Sequence, residues 1–264
     1  MGSVSRLPRP ASSSTNSTAD RAVDVLLLFD EQHPVRSASE VSQLLGMPRS
    51  TTYRYLQTLR SKGLLEEESP RGFRLGSRIL QLARVARIGL GLPEVALPVM
   101  REVAAKTQEA VLLTRRSGAS VVCVERVEST QPVRLSYERG HVLPVHAGAS
   151  AKVLLAFADP AEIDSVLATS RLPRFTASTV TDPKVLRKQL LEIRSAGYAM
   201  SDGEVDEGVR GIAAPIFAAD GRVAAGLSVA GPAFRLDGKR LPVIVRAVRE
   251  GAEAISRRLA DLQG

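Results

Sequence analysis

Arginine, serine and glutamine side chains recur along residues 48–63 at the spacing of one helix face. Thr52, Leu56 and Leu59 would share the buried face of such a helix, which leaves its opposite face polar and basic. Guanidinium, hydroxyl and amide groups hydrogen-bond to phosphates and to the edges of bases, so this face suits contact with a nucleic-acid duplex. An ordinary solvated helix face is the alternative interpretation. The candidate contact residues are Arg49, Ser50, Thr51, Tyr53, Arg54 and Gln57.

A second group of basic residues follows Gly63. Residues 64–76 predict two short strands around a Pro/Gly turn, and Arg71 and Arg74 flank the tip of that ribbon. A β-ribbon of this kind can place guanidinium groups on the sugar-phosphate backbone or in the minor groove. The competing interpretation is that these arginines pair with the acidic run Glu66–Glu68.

Three helices must position the basic face. Apolar residues at helical spacing predict a first helix within residues 18–30. Ser37 and Glu40 match a capping box, which begins a second helix that ends at Gly46, a residue suited to the positive φ of a helix C-terminus. Two helices joined by a short glycine-containing turn are typical of a helix-turn-helix, and the ribbon that follows makes it a winged one.

A run of small residues in the second half of the chain could bind a ligand. Residues 147–150, Ala-Gly-Ala-Ser, open a predicted helix. A ligand could approach the backbone closely there, and its anionic group could meet the N–H groups of the first helical turn. This chemistry favours a carboxylate, and the alternative is that the small residues only make a tight turn.

The sequence offers weaker candidates for a catalytic site or a metal site than for a ligand pocket. Ser150 has His146 nearby in the chain but no evident carboxylate to orient that base, as nucleophilic catalysis requires. The acidic run 202–207 could suggest paired carboxylates or a cation site, but it is short and contains glycine, which favours a solvated loop. His141 and His146 flank a proline in poor geometry for a shared metal. We therefore expect no catalytic site, no cofactor and no metal.

The composition is that of a folded globular protein. The 264 residues are 44% hydrophobic and 24% charged, which argues against disorder and against fibrous repeats. The longest uncharged stretches fall well short of the roughly 20 apolar residues of a membrane span, and residues 1–17 lack the apolar core of a secretory signal. We expect a cytoplasmic protein with no membrane contact, whose single cysteine, Cys123, forms no internal disulfide.

The positive charge is unevenly distributed. The formal net charge is +8, and residues 1–90 contain 13 basic against 8 acidic residues, compared with 23 against 20 in residues 91–264. The first third of the chain therefore carries most of the excess. A basic segment is what a phosphate-binding surface requires, because release of counterions from the polyanion supplies much of its affinity.

The patterns divide the chain into four parts. Residues 1–17 predict a disordered basic arm, 18–76 the winged helix-turn-helix, 77–91 a linker helix, and 92–264 a second domain. Helices and β-branched strands alternate in the second domain, which predicts a mixed α+β fold rather than a doubly wound sheet. Its strands are predicted at 110–115, 120–127, 133–137, 199–201, 210–217 and 223–230, with a loop at 140–148.

The order of these parts resembles the IclR family of bacterial transcription regulators over about residues 18–262. The resemblance is carried by PRSTTYRYLQTLRSKG (48–63), GFRLG (72–76), PVHAGASAKVLLA (144–156) and GYAMSDGEVDEGVRGIAAPIF (197–217), the last followed by GLSVAGP (226–232). It implies a winged helix-turn-helix joined by a helix to a GAF-like domain for effector binding and oligomerisation. Ala151 departs from the glycine that the family usually has before the lysine, which can narrow the loop beside the pocket.

In this family the helix-opening loop and the late strands line the effector pocket, so the resemblance implies a small organic acid, aromatic acids included, as the effector. Ser201 and Ser228 would supply hydrogen bonds, the aliphatic residues would supply the walls, and the small Gly211 and Ala230 would leave a roomier pocket. The implied effector-binding residues are Leu135, Leu143, Ala149, Ser150, Ser201, Val209, Gly211, Ser228 and Ala230.

The function expected from these features is ligand-responsive regulation of transcription, with repression as the expected sign. Two winged domains in a homodimer, or in a homotetramer of dimers, would read a pseudo-palindromic operator, because one module buries too little surface for tight binding. Two alternatives remain open at this point. One is a small-molecule enzyme with a vestigial winged module, and the other is an adaptor that uses the winged fold to dock a protein.

Overall fold

A computed structural model describes residues 18–30, 32–68, 70–118, 120–132, 135, 137–169 and 172–263. The chain divides into two compact units, one that ends at Leu90 and one that begins at Gly91. The basic arm predicted over residues 1–17 lies outside the described residues, as does most of the strand predicted over 133–137. The mixed α+β class predicted from the sequence is confirmed.

The described part of the first unit packs helices against a small antiparallel sheet. Its elements are α1 (Thr18–Leu26), β1 (Val35–Arg36), α2 (Ala38–Leu45), α3 (Arg49–Ser61), β2 (Leu65–Glu68), β3 (Gly72–Leu75) and α4 (Arg78–Leu90). The strands lie in the order β1, β3, β2, and β2 with β3 forms the wing. Strand β1 is absent from the sequence prediction, since two residues are too few to show an alternating pattern.

Local sequence explains where α2 begins and ends. The Ser37 hydroxyl accepts a hydrogen bond from the Glu40 N–H at 3.2 Å, and the Glu40 carboxylate accepts one from the Ser37 N–H at 2.7 Å, which completes the predicted capping box. Gly46 ends the helix with a φ of 62°, a left-handed conformation that glycine adopts without strain. The chain then enters α3 at Arg49, which gives the helix-turn-helix.

The core of the first unit fixes the rotation of α3. Thr52, Tyr55, Leu56 and Leu59 of this helix are buried against apolar side chains of α1, α2 and the wing, among them Phe73. Each fully buried apolar side chain of this size contributes about 1.5–3 kcal/mol to stability. Rotation of α3 would expose these residues, so the opposite face of the helix is held toward solvent.

The second unit is built on an antiparallel sheet, six-stranded over the described residues. Its strands are β4 (Ala110–Ser117), β5 (Ser120–Val127), β6 (Val142–Pro144), β7 (Ala199–Asp202), β8 (Val209–Phe217) and β9 (Val223–Pro232). They lie in the order β6, β5, β4, β9, β8, β7. Strand β6 lies in the segment 140–148, for which the sequence predicts a loop. Three residues are again too few to show an alternating pattern, so the sequence does not reveal this strand.

Helices cover both faces of this sheet. They are α5 (Leu92–Thr107), α6 (Ala149–Ala156), α7 (Pro160–Thr169), α8 (Pro183–Ala196) and α9 (Arg240–Gln263). On β9, Gly226 faces Val153 of α6, whereas its neighbour Leu227 faces Gly251 of α9. Helix α6 therefore packs on one face, backed by α8, and α9 with α5 packs on the other. None of the described helices is both long and apolar enough to cross a bilayer.

Candidate functional site

Helix α3 presents the polar face that the sequence predicts for nucleic-acid contact. Among the six candidate residues, Thr51 and Gln57 are half-buried and the others are exposed, namely Arg49, Ser50, Tyr53 and Arg54. The guanidinium of Arg54 has no hydrogen-bond or ion-pair partner within the described ranges, and the one side chain that contacts this residue by a hydrogen bond, Thr58, donates to its backbone carbonyl. That side chain can therefore take up a new partner without breaking an existing contact.

Neighbouring contacts order the rest of this face. Arg49 donates to the Ser39 hydroxyl at 2.9 Å, which ties the start of α3 to α2. Gln57 accepts a hydrogen bond from Arg60 at 3.2 Å and keeps its own amide donors for another partner. The Tyr53 ring packs edge-to-face on Phe73 with 6.4 Å between centroids, which connects the exposed face of α3 to the wing.

The wing arginines lie beside acids in this structure, as the alternative interpretation expects. Arg74 lies 3.2 Å from Glu66 and 3.7 Å from Glu68, while Arg71 lies 3.8 Å from Glu68. The side chains remain largely exposed, that of Arg71 by 76%. Because solvent screens such surface pairs, they contribute little stability and can be exchanged for phosphate contacts. Pairing and nucleic-acid contact are therefore compatible roles for these residues.

Most of the residues implied for the effector pocket line one open cleft in the second unit. The cleft encloses about 470 Å³, including the solvent space at its mouth, and lies where α6 begins above β8 and β9. Leu135 instead lines a smaller hollow with about 240 Å³ of empty space, open solvent included, which shares Leu112 and Tyr137 with the cleft. The predicted residues that line the cleft are Leu143, Ala149, Ser150, Ser201, Val209, Gly211, Ser228 and Ala230.

Three buried serines form the deep end of the cleft. The Ser150 hydroxyl donates to the Ser228 hydroxyl at 2.8 Å, and the Ser201 hydroxyl accepts a hydrogen bond from the Ala149 N–H at 3.0 Å. A hydroxyl both donates and accepts and can rotate, so these groups can be re-aimed at a ligand. The three serines therefore provide polar, uncharged groups at the deep end.

Gly211 permits close packing at the start of α6. A methyl group at this position would lie 3.2 Å from the Ser201 hydroxyl and 3.3 Å from the side chain of Ala149, both tighter than ordinary contacts. The missing side chain lets β8 lie against the start of α6. Gly211 also lines the cleft, so the expectation that its small size leaves a roomier pocket stays a prediction.

Glu204 is the main surprise of the site, because the sequence predicts a solvated loop over residues 202–207. Its carboxylate is buried, accepts a hydrogen bond from the Gly148 N–H at 3.1 Å, and lies 2.5 Å from the ammonium of Lys152. That ammonium is also buried and donates to Gln189 at 2.8 Å. Asp202, Asp206 and Glu207 of the same run are exposed, as a solvated loop requires.

This arrangement changes the argument for anion binding at the start of α6. The Gly148 N–H already meets the carboxylate of Glu204, and the Ala149 N–H already meets the hydroxyl of Ser201. The protein thus supplies its own anion to the positive end of the helix. These two N–H groups are therefore engaged within the protein, whereas the serine hydroxyls of the cleft can still rotate toward another partner. Lys152, the only charged residue of the fully buried α6, is the sequence signal that could have pointed to Glu204.

Tyr137 and Asp206 form the outer end of the cleft, and neither is among the residues implied by the sequence. The phenol of Tyr137 donates a hydrogen bond of 2.6 Å to one carboxylate oxygen of Asp206. Burial, and then the neighbouring carboxylate, raise the pKa of Tyr137 far above its ordinary value. The phenol therefore remains protonated and keeps donating at physiological pH.

The residues weighed for catalysis are not assembled into a catalytic set. His146 has its Nε2 atom 3.0 Å from the carbonyl oxygen of Pro173, and its ring packs on Phe175, so it does not activate Ser150. Burial lowers the pKa of His146, which keeps the imidazole neutral. In the part of the chain that the structure describes, no cluster of His, Cys, Asp or Glu is arranged to hold a metal ion.

Comparison with known proteins adds to this geometry. Residues 18–69 match the family model described as the IclR helix-turn-helix domain, and residues 87–257 match that of the bacterial transcriptional regulator IclR C-terminal domain. The chain is 36% identical to the HTH-type transcriptional regulator BhcR of Paracoccus denitrificans, over 90% of this chain and 85% of that protein. It is 30% identical to the HTH-type transcriptional repressor AllR of Klebsiella pneumoniae, over 90% and 88% respectively. A solved structure of an IclR homolog from Microbacterium hydrocarbonoxydans, complexed with 4-hydroxybenzoate, matches with a TM-score of 0.78 and 33% identity, covering 92% of this chain and 99% of that one.

Proposed function

The chain belongs to the IclR family of bacterial transcriptional regulators, and on that premise we propose that it is a repressor whose operator binding is controlled by a small organic acid. The observation that carries the proposal is a cleft with three buried serines in the same chain as an exposed, basic α3 face. Repression is supported by the similarity to AllR, which is named as a repressor. A regulator of chromosomal transcription acts in the cytoplasm.

In this proposal α3 enters the major groove and the wing follows the backbone. Arg54 has the length and the unengaged donors to bind a base edge, and Arg49, Ser50 and Thr51 lie in the first turn of the helix, where recognition helices contact bases and phosphates. Arg71 and Arg74 would exchange their carboxylate partners for phosphates. These assignments follow from exposure and chemistry.

Two copies of the chain would bind a pseudo-palindromic operator. Exposed apolar side chains on α1 and α4 support self-association of the first unit, because solvent-facing leucine and valine clusters are typical of interaction surfaces. Leu80 and Val85 of α4 are 73% and 67% exposed, and Val23 of α1 and Leu27, which directly follows α1, are also exposed. A second copy would cover them and double the nucleic-acid contact area, and pairing of dimers would give the tetramer.

The effector proposed for the cleft is a monocarboxylic acid, with aromatic acids among the candidates. The hydroxyls of Ser150, Ser201 and Ser228 can turn toward a carboxylate, and the aliphatic walls, which include Leu143 and Val209, would hold its apolar part. The homolog complexed with 4-hydroxybenzoate supports this class, since that ligand is an aromatic acid. We further propose that the cleft binds without catalysis, because Ser150 has no base beside it.

The acid can change operator affinity only if it binds the competent and incompetent states unequally. Linkage requires the operator to change the affinity for the acid by the same factor. This reciprocity distinguishes an acid that regulates operator binding from an acid that binds the protein without affecting operator binding.

The test uses the full-length protein. An operator is first selected from a random-sequence duplex library, and its binding is then followed by fluorescence anisotropy with and without organic acids. We expect a selected operator with two-fold symmetry, whose affinity for the protein depends on the acid. The operator should change the affinity of the protein for the acid by the same factor. Arg54→Ala should weaken operator binding, whereas the control Arg101→Ala, at an exposed position in the second unit, should not. No selected sequence, or turnover of the acids, would refute the proposal.

A further inference from the structure

The polar groups of the cleft are sorted by chemistry along its depth. Its buried end holds the hydroxyls of Ser150, Ser201 and Ser228, which can donate hydrogen bonds. Its exposed end holds the carboxylate of Asp206, which can only accept them. A ligand that spans the cleft therefore meets donors at one end and a negatively charged acceptor at the other.

Asp206 is the unbalanced charge of the cleft. Among the described residues that line it, none is lysine, arginine or histidine. The other lining carboxylate, that of Glu204, is matched by the buried ammonium of Lys152 and by the Gly148 N–H. No such match exists for Asp206 over the described ranges, where its only side-chain partner is the uncharged phenol of Tyr137.

Tyr137 holds this acceptor in place. Its phenol engages the Oδ2 atom of Asp206 at 2.6 Å, and the Oδ1 atom has no protein partner in the described part of the chain. Tyr137 also lines the cleft itself, so the held carboxylate and the aromatic ring face the same space. A held acceptor loses little conformational freedom when a ligand arrives, which strengthens its discrimination between ligands.

We infer that Asp206, held by Tyr137, selects effectors that carry a hydroxyl or another neutral hydrogen-bond donor at the end remote from their carboxylate, and excludes dicarboxylic acids. A hydroxyl would donate to the Oδ1 atom, whereas a second carboxylate would meet a like charge with no cation beside it. This inference rests on the proposed function, because it assumes that the first carboxylate binds at the serines.

The test measures binding of two matched series of acids by calorimetry on the full-length protein. The aromatic series is benzoate, 4-hydroxybenzoate and benzene-1,4-dicarboxylate, and the aliphatic series is butanoate, 4-hydroxybutanoate and butanedioate. In the series that fits the cleft, we expect the hydroxylated acid to bind about tenfold more tightly than the unsubstituted acid. We expect the dicarboxylate to bind most weakly.

Three variants assign the effect to the contact itself. Asp206→Asn removes the charge and keeps the shape, so dicarboxylate affinity should rise about tenfold relative to that of the unsubstituted acid. Tyr137→Phe removes the phenol that holds Asp206, so the preference for the hydroxyl should weaken. Glu207→Gln removes the same charge from an exposed side chain of the same loop that does not line the cleft, and it should change neither ratio.

The outcomes separate this inference from the proposed function. If acids bind but the three members of a series bind equally, the selection by Asp206 is wrong and the acid-binding cleft stands. If Asp206→Asn and Glu207→Gln shift the ratios alike, the charge of the loop acts at a distance and the contact is refuted. If no acid of either series binds, the acid-effector proposal fails and this inference fails with it.

Discussion

The buried ion pair of Lys152 and Glu204 makes Glu204→Gln the most demanding test of the site geometry. The two side chains are 2% and 9% exposed, and the ammonium and carboxylate lie 2.5 Å apart. Removing one partner of such a pair leaves a buried charge without compensation, which costs about 3–5 kcal/mol. The retained hydrogen bond from Lys152 to Gln189 favours the lower value, so we expect a loss of about 3 kcal/mol.

Thermal unfolding of the full-length protein measures this loss. For a unit of this size the expected fall in the midpoint is roughly 6–12 °C, at about 2–4 °C per kcal/mol. Glu192→Gln is the control, because Glu192 lies in an exposed pair with Lys188 at 3.9 Å and its replacement should change stability by less than about 1 kcal/mol.

The double variant Lys152→Met/Glu204→Gln distinguishes a buried ion pair from positions at which any substitution lowers stability. Removing both charges eliminates the uncompensated ion, so the double variant should be more stable than the sum of the two single losses predicts. Strict additivity of the two losses, or a Glu204→Gln loss no larger than that of Glu192→Gln, would refute the buried pair.

Four further predictions follow from the described contacts. Arg54→Ala should cost about 1–3 kcal/mol of operator binding and relax sequence preference in a competition assay; an equal loss on random duplexes would reassign it to a phosphate. Arg71→Ala or Arg74→Ala should weaken binding to all sequences and reduce the slope of log affinity against log salt by about one unit, and an unchanged slope would remove the wing from the interface. Ser228→Leu should fill the deep end of the cleft and abolish the response to acids while operator binding is retained; a preserved response would show that the cavity is misplaced. Burial and the neighbouring Glu125 raise the pKa of Cys123 to about 11, so a disulfide reagent at neutral pH should modify it only after unfolding, and rapid labelling of the native protein would contradict its burial.

Features set by near neighbours in the chain are the ones that the sequence predicts well. The capping box of Ser37 and Glu40 and the left-handed Gly46 depend on residues within one or two helical turns, and the structure has both where expected. The buried face of α3 likewise follows from the spacing of Thr52, Leu56 and Leu59. Such features are visible in sequence because a periodic pattern records which side must be buried.

The features that the sequence does not predict depend on contacts between distant segments. Glu204 and the exposed acids beside it are the same residue types in the same loop, and only the position of Lys152, 52 residues away, makes one of them buried. Tyr137 belongs to the cleft because it meets Asp206, 69 residues further along the chain. No local periodicity encodes either pairing, since each is created by the packing of α6 and the loops on the sheet.

The close approach of α6 to the sheet connects these distant pairings to the chemistry of the cleft. A side chain at Gly211 would press on Ala149, and one at Gly226 would press on Val153, so glycine at both strand positions lets the helix lie close to β8 and β9. That closeness is what allows the hydroxyls of Ser201 and Ser228 to reach the first turn of α6 at hydrogen-bonding distance. Glu204 and Ser201 already engage the N–H groups of Gly148 and Ala149, so the serine hydroxyls are the groups of the cleft that can most readily turn toward an acid. Gly211 and Gly226 therefore determine which polar groups come together in the cleft, although neither has a side chain that could bind a ligand.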